Sequence, residues 1–201
     1  MVTRGFFGRR RETPPRPIPP GQYLERGFPV LTAGPTQRVP LDQWSFVLVG
    51  AEGEPLGEWN WEQFRSLPET EIFTDIHCVT KWSKLDTTWK GVTIDDLLVA
   101  AGVSDPPPYL MAFSYGGYTT NLPTWDVLEG RGMVAFEFDG QPIAAEHGGP
   151  ARLVVPHLYF WKSAKWLRGI RFMPQDQPGF WEQYGYHMYG DPWKEQRYWG
   201  D

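Results

Sequence analysis

Proline and glycine punctuate this chain from end to end. Of 201 residues, 20 are proline and 22 are glycine. Proline removes a backbone donor and glycine weakens any helix or strand interior. A chain broken this often cannot form a helical bundle. Its 11 tryptophans and 16% aromatic content instead predict short strands, many turns and large side chains to fill the core. The chain is 41% hydrophobic, enough for one compact domain with a real interior. A formal charge of −5 argues against a nucleic-acid partner, which selects for a basic face. No apolar run approaches the roughly 20 residues of a membrane span. The single cysteine excludes an internal disulfide framework and any zinc site built on two or more thiolates.

Residues 1–27 form a proline- and arginine-rich extended arm, and residues 28–201 form the domain. Arg9, Arg10 and Arg11 invite an export reading, but ETPPRPIPP follows them where an apolar stretch of about 7–15 residues is required. The expected location is therefore cytoplasmic. The prolines favour an extended, polyproline-like tail, expected as a solvated arm with draping over the domain as the alternative.

Ordered structure is expected from about Gly27. Strands are predicted at Trp44–Gly50, Thr70–Thr80, Tyr109–Ser114, Met133–Asp139, Ala151–Val155 and Leu167–Met173. A turn and then a short helix, Trp61–Leu67, stopped by Pro68, are predicted between the first two. The clearest helix lies in Gly91–Gly102, with Thr93 as N-cap, Asp95 and Asp96 in its first turn and Gly102 after its end. The aromatic-rich tail from Gly179 is expected to pack. The fold class is α+β: one strand-dominated, mixed domain.

Two regions carry chemistry. Cys78 sits where a strand gives way to a polar loop. Its thiolate suits a soft or high-valent metal, or a nucleophile's role, and a buried, inert cysteine is the plain alternative. His77 and Lys81 are near enough in sequence to lower its pKa. The second region is Glu146–Trp166. His147 precedes Gly148 and Gly149, where backbone can approach a ligand closely. Arg152 enters a buried-looking run, where its guanidinium must be paired. Lys162, Ser163 and Lys165 add two cations and a hydroxyl. The set suits a phosphorylated cofactor; solvated lysines and a structural arginine–glutamate pair are the alternatives. No phosphate loop and no dinucleotide fingerprint is present.

From His77 to Leu98 (HCVTKWS … WKGVTIDDLL), at Gly117–Pro123 (GYTTNLP) and above all from Phe136 to Phe172 (FEFDGQPIAAEHGGPARLVVPHLYFWKSAKWLRGIRF), the chain resembles the molybdopterin-binding domain of the sulfite oxidase family. The resemblance covers roughly residues 28 to 200 and is similar in kind to the small sulfite oxidase-like oxidoreductases. It implies a molybdenum–molybdopterin cofactor and two-electron oxygen-atom transfer on a small oxyanion, sulfoxide or related substrate. By the same resemblance Cys78 is the metal's protein ligand and catalytic residue. His147, Arg152, Ser163, Ala164 and Lys165 bind the cofactor, with a further contact at Ser114 or Tyr115. Lys81, Trp82 and Tyr118 are expected on the pocket wall. An electron donor or acceptor protein is implied. The family's arginine-rich sulfite pocket has only Lys81 and Lys84 as counterparts after Cys78, and Phe28–Gly34 lacks the Asn and Tyr of its sulfoxide reductases, so the substrate stays open. Two other readings compete: a non-catalytic molybdopterin carrier, and a thiol enzyme with Cys78 as nucleophile.

Overall fold

The structure, a computed structural model, describes residues 13–201. Arg9, Arg10 and Arg11 lie outside the described residues. In chain order the elements are β1 (Tyr23–Leu24), β2 (Ser45–Val49), β3 (Pro55–Asn60), α1 (Trp61–Arg65), β4 (Thr70–His77), β5 (Trp82–Thr93), α2 (Ile94–Ala101), β6 (Tyr109–Ser114), β7 (Thr119–Pro123), β8 (Met133–Phe138), β9 (Gln141–Pro142), β10 (Arg152–Val154), β11 (Leu167–Met173) and α3 (Phe180–Gln183). Short 3₁₀ turns at Thr124–Asp126, Ala145–His147 and Phe160–Lys162 complete the set. No helix among the described residues is long and apolar enough to cross a membrane.

Two mixed sheets face each other. One runs β3-β2-β11-β6-β7, antiparallel except for the parallel pair β2/β11. The other runs β1-β5-β8-β10, with β4 on β5 and β9 on β8. The main core combines Phe46, Leu48, Leu110, Ile170 and Phe172 of the first sheet with Val134, Phe136 and Leu153 of the second and Leu97 and Leu98 of α2. The second sheet is also covered on its other face. There Ile76, Trp89, Met133, Ala135 and Val154 pack with Phe160. Strand side chains alternate between faces, so β8 sends Val134 and Phe136 one way and Met133 and Ala135 the other. Burial on both faces is why this strand reads as a continuous apolar run. The same alternation aims Arg152, two residues before Val154, at the second cluster.

α2 follows the sequence closely. Thr93 Oγ1 accepts from the Asp96 N–H (3.1 Å), and Gly102 ends the helix at φ 69°. Four expectations are corrected. Order begins before Gly27, since β1 pairs with β5 at Tyr23↔Trp82 and Leu24↔Ser83. The stretch before Trp61 holds a six-residue strand, β3, rather than a turn alone. Trp82–Thr93 is a twelve-residue strand, so Gly91–Thr93 closes a strand and the helix starts at Ile94. Thr119–Pro123 is also a strand.

The solvated-arm expectation is overturned for residues 13–27, which lie along the second sheet. Pro19 is buried. Arg16 bridges Asp75 (2.6 Å) and Asp86 (2.7 Å), and the Gln22 side-chain amide donates to the Cys78 carbonyl (3.2 Å).

Candidate active site

A cavity of about 380 Å³ opens among five separate stretches: the loop after β1, the turn after β4, the β6–β7 turn, the run from β10 to β11, and α3 with its following segment. This is the size range of small-molecule and cofactor sites.

Cys78 lies on its wall, just past β4. The turn is held by its backbone: Cys78 N–H donates to the Trp82 carbonyl (2.8 Å) and Lys81 N–H to the Cys78 carbonyl (3.0 Å). The Thr80 hydroxyl donates to Sγ at 3.1 Å. Burial pushes the thiol pKa up, while Thr80 and the Lys165 charge pull it back. His77 does not tune the sulfur. Its Nδ1 pairs with the Ser83 hydroxyl (2.8 Å), its ring meets Trp193 edge-on, and burial lowers its pKa to about 4, so it is neutral. Lys81 is exposed and absent from the cavity wall, whereas Trp82 and Tyr118 are on it.

Arg152 and Lys165 both face the cavity. The Arg152 guanidinium is buried and donates to the carbonyls of His147 (2.7 Å), Ser163 (2.6 Å) and Leu153 (3.4 Å). It lies 4.1 Å from the Phe160 ring centroid. Lys165 Nζ donates to the carbonyls of Leu31 (2.8 Å) and Glu146 (2.6 Å). Among the described residues neither cation is bonded to a carboxylate. Burial lowers Arg152 to about 9, and burial and the Arg152 charge lower Lys165 to about 7. Two cations concentrated in a poorly solvated site, each satisfied only by neutral carbonyls, attract an anion.

The other predicted residues divide. Ser163 lines the cavity; its Oγ accepts from the Val155 N–H (2.9 Å), leaving the hydroxyl proton available to a ligand. Ala164 is buried and contributes backbone, its carbonyl accepting from Leu153 N–H (2.9 Å). His147 stacks flat on Phe28, centroids 3.9 Å apart and planes at 5°, with burial and the Lys165 and Arg152 charges lowering its pKa. Gly148 beside it has φ 105°, and a Cβ there would stand 2.9 Å from Lys165 Cβ. Only glycine lets the two segments meet this closely. Neither His147 nor Ser114 is on the cavity lining; Tyr115 is. His147 Nδ1 and Ser114 Oγ are buried without hydrogen-bond partners among the described residues.

Lys162 is not part of this cradle. It is fully buried and pairs with Glu182 at 2.6 Å, taking also the Asn121 and Met188 carbonyls. Sequence reasoning missed Thr80 and the aromatic wall made by Trp161, Phe180, Trp181 and Tyr186, while the Phe28 loop was compared with a cofactor segment only through the resemblance. The tail's aromatic content was the available signal; its direction was not. Among the described residues no three His, Cys, Asp or Glu side chains converge, so a metal held here would rest on Cys78 and ligands from outside the chain.

Residues 33–181 match the family described as oxidoreductase molybdopterin binding domain. The chain is 43% identical over 195 residues to the uncharacterized oxidoreductase YuiH of Bacillus subtilis, covering 96% of this chain and 98% of that protein. It is 27% identical to a putative protein-methionine-sulfoxide reductase subunit, YedZ1, of Azospira oryzae, over 87% of this chain and 67% of that one. Chicken sulfite oxidase is 30% identical over 116 residues, 49% of this chain and 24% of that enzyme. The sulfane dehydrogenase SoxCD from Paracoccus pantotrophus shares the fold, with a TM-score of 0.62 at 21% identity, covering 70% of this chain and 40% of that chain.

Proposed function

The chain belongs to the oxidoreductase molybdopterin-binding domain family, and on that premise we propose that it transfers an oxygen atom to or from a small substrate, with Cys78 as the protein ligand to molybdenum. It is a molybdopterin-dependent oxidoreductase, and molybdenum–molybdopterin is its cofactor. When bound, that group supplies the two-electron redox change and the site of oxygen exchange.

One observation carries the assignment of residues. Cys78 Sγ shares a single cavity with Arg152 and Lys165, two cations bonded to no carboxylate among the described residues. The donor set fits the group. A soft sulfur suits the metal, and the cations suit the pterin's phosphate. His147 and Ser114 stand behind the lining, where His147 supports the wall residue Phe28 by stacking on it. Each residue then has a task. Cys78 loses its proton to become a ligand, with the Thr80 hydroxyl and the Lys165 charge favouring the thiolate. Arg152, fixed by three carbonyls, needs no rearrangement to receive an anion. Ser163 adds a donor, Ala164 holds β10 in register through its carbonyl, and the aromatic side excludes water. Electrons enter or leave through an external donor or acceptor.

The test is a metal and pterin assay on protein made in a cofactor-competent host, with turnover measured on sulfite, sulfoxides and N-oxides using redox dyes. Stoichiometric molybdenum with oxygen-atom transfer is the expected outcome, and Cys78→Ser is expected to lose the metal. Bound cofactor with no turnover of any such substrate would favour the carrier. Metal-free protein inactivated by iodoacetamide would favour the thiol enzyme.

A further inference from the structure

The cavity lining holds two chemically different sets of residues. Its charged members among the described residues are Arg152 and Lys165, both assigned to the proposed cofactor cradle. The lining also carries a continuous aromatic wall. Tyr118 and Phe180 have centroids 5.8 Å apart, Phe180 and Trp181 5.1 Å, Trp181 and Tyr186 5.0 Å, and Tyr186 and Trp161 5.2 Å. The Tyr118 hydroxyl, the polar end nearest Trp161, is already spent on the Trp161 carbonyl (2.7 Å).

This wall is not held by packing alone. Glu182, fully buried on α3, accepts at one carboxylate oxygen from the Trp161 indole N–H (2.9 Å), the Thr120 hydroxyl (3.1 Å) and Lys162 Nζ (2.6 Å). Thr120 belongs to β7, Trp161 and Lys162 to the 3₁₀ turn after β10, and Glu182 to α3. One carboxylate therefore ties α3 to the Phe160–Lys162 turn, both of which carry wall residues, and to β7, which follows Tyr118. A buried ionic knot of this kind adds little net stability over apolar packing, but it specifies one arrangement.

Resting on the function proposed above, we propose that the aromatic wall selects an uncharged oxide bearing an aryl or branched alkyl group over a small oxyanion, and that Glu182 is the residue positioning the wall. An oxyanion would find no cation among these rings, and would find the two cations of the lining engaged by the cofactor. An apolar substituent would displace water from the rings and stack. For a sulfoxide the balance is R₂S=O + 2 e⁻ + 2 H⁺ → R₂S + H₂O. The S–O bond breaks, sulfur is reduced, the oxygen leaves as water, and a reduced viologen dye supplies the electrons.

The experiment compares methyl phenyl sulfoxide, dimethyl sulfoxide and sulfite with the molybdenum-loaded enzyme, by dye-coupled turnover and by quenching of tryptophan fluorescence at equilibrium. Methyl phenyl sulfoxide is expected to bind at least about ten-fold tighter than dimethyl sulfoxide or sulfite. Trp181→Ala is expected to collapse the phenyl-to-methyl ratio of kcat/KM toward unity. Glu182→Gln, which keeps the shape but removes the charge, is expected to raise KM for the aryl substrate several-fold with a smaller change in kcat. Sulfite binding as tightly as the aryl sulfoxide overturns the selection. An unchanged ratio in folded Trp181→Ala overturns the wall's role, and an unchanged KM in folded Glu182→Gln overturns the positioning role. Protein without molybdenum defeats the function proposed above instead, and the fluorescence comparison of the two uncharged sulfoxides still decides this inference.

Discussion

Arg152 shows what a single residue can disclose. An arginine inside ARLVV reads as a buried cation that must be paired, and so it is. Its partners were illegible because they are backbone carbonyls of residues 147 and 163, brought in by the chain's path and not by side-chain type. The Cys78 neighbourhood failed for a related reason. His77 and Lys81 are near Cys78 in sequence, yet successive strand residues face opposite ways, and the turn sends Lys81 into solvent. The sulfur's partner is Thr80, whose hydroxyl marks no chemistry by itself. The geometry of Arg152 gives a prediction. Arg152→Lys keeps a charge but cannot span three carbonyls, and lysine is the more strongly hydrated cation. We expect a loss of about 2–4 kcal/mol in stability and a sharp fall in bound pterin, checked by urea denaturation and cofactor release. Full pterin occupancy in the variant would contradict the cradle.

Elements were legible where one physical signal dominated. β6, β8 and β11 are apolar or alternating runs bounded by turns, and α2 has both its caps. β5 was not. Its register shifts against β4 between Thr74 and Ile76, and Asp86, at φ 58°, donates its N–H to Asp75 Oδ1 (2.9 Å). A bulge of this kind interrupts the alternation by which a strand is recognised. β5 also shifts against β8 at Gly91, where a Cβ would collide with the Val134 carbonyl oxygen and the Ala135 Cα. Gly91→Ala is expected to cost about 3 kcal/mol or more, or to prevent folding; a wild-type denaturation midpoint would refute this. The tail has its own sensitivity. His187 Nδ1 accepts from the Tyr189 N–H (3.0 Å) and the Gly190 N–H (3.1 Å). Burial lowers its pKa, the Lys162 charge lowers it further, and Asp201 partly opposes both. The neutral ring's contribution is complete above the unfolded value near 6.5 and is lost as pH falls from there through the lower folded value. Between pH 8 and pH 5 the wild type is therefore expected to lose more thermal stability than His187→Gln, measured by parallel melts.

At the scale of the molecule, the site is where distant parts of the chain meet. The fold class was legible from composition and strand pattern, but the cavity was not, because its walls come from five stretches whose proximity is set by topology. The arm is part of that topology. Tyr23 N–H donates to the Lys81 carbonyl and Glu25 N–H to the Ser83 carbonyl, each at 2.8 Å, on the segment that follows Cys78. Removing residues 1–27 is expected to lower the melting temperature by about 5 °C, equivalent to about 2 kcal/mol for a domain of this size, and to speed loss of molybdenum from Cys78. An unchanged melt and unchanged metal retention would show that the arm does not brace the turn.

The aromatic wall has a consequence for biosynthesis. Phe180, Trp181 and Tyr186 emerge from the ribosome after the other walls, and their anchor, Glu182, pairs with Lys162 across β7. Before those residues dock, the cavity stands open on that side, with Cys78 and both cations within reach of a large heterocycle. Cofactor supplied before α3 docks is therefore expected to be taken up faster than cofactor added to the finished protein, a difference that timed reconstitution measures.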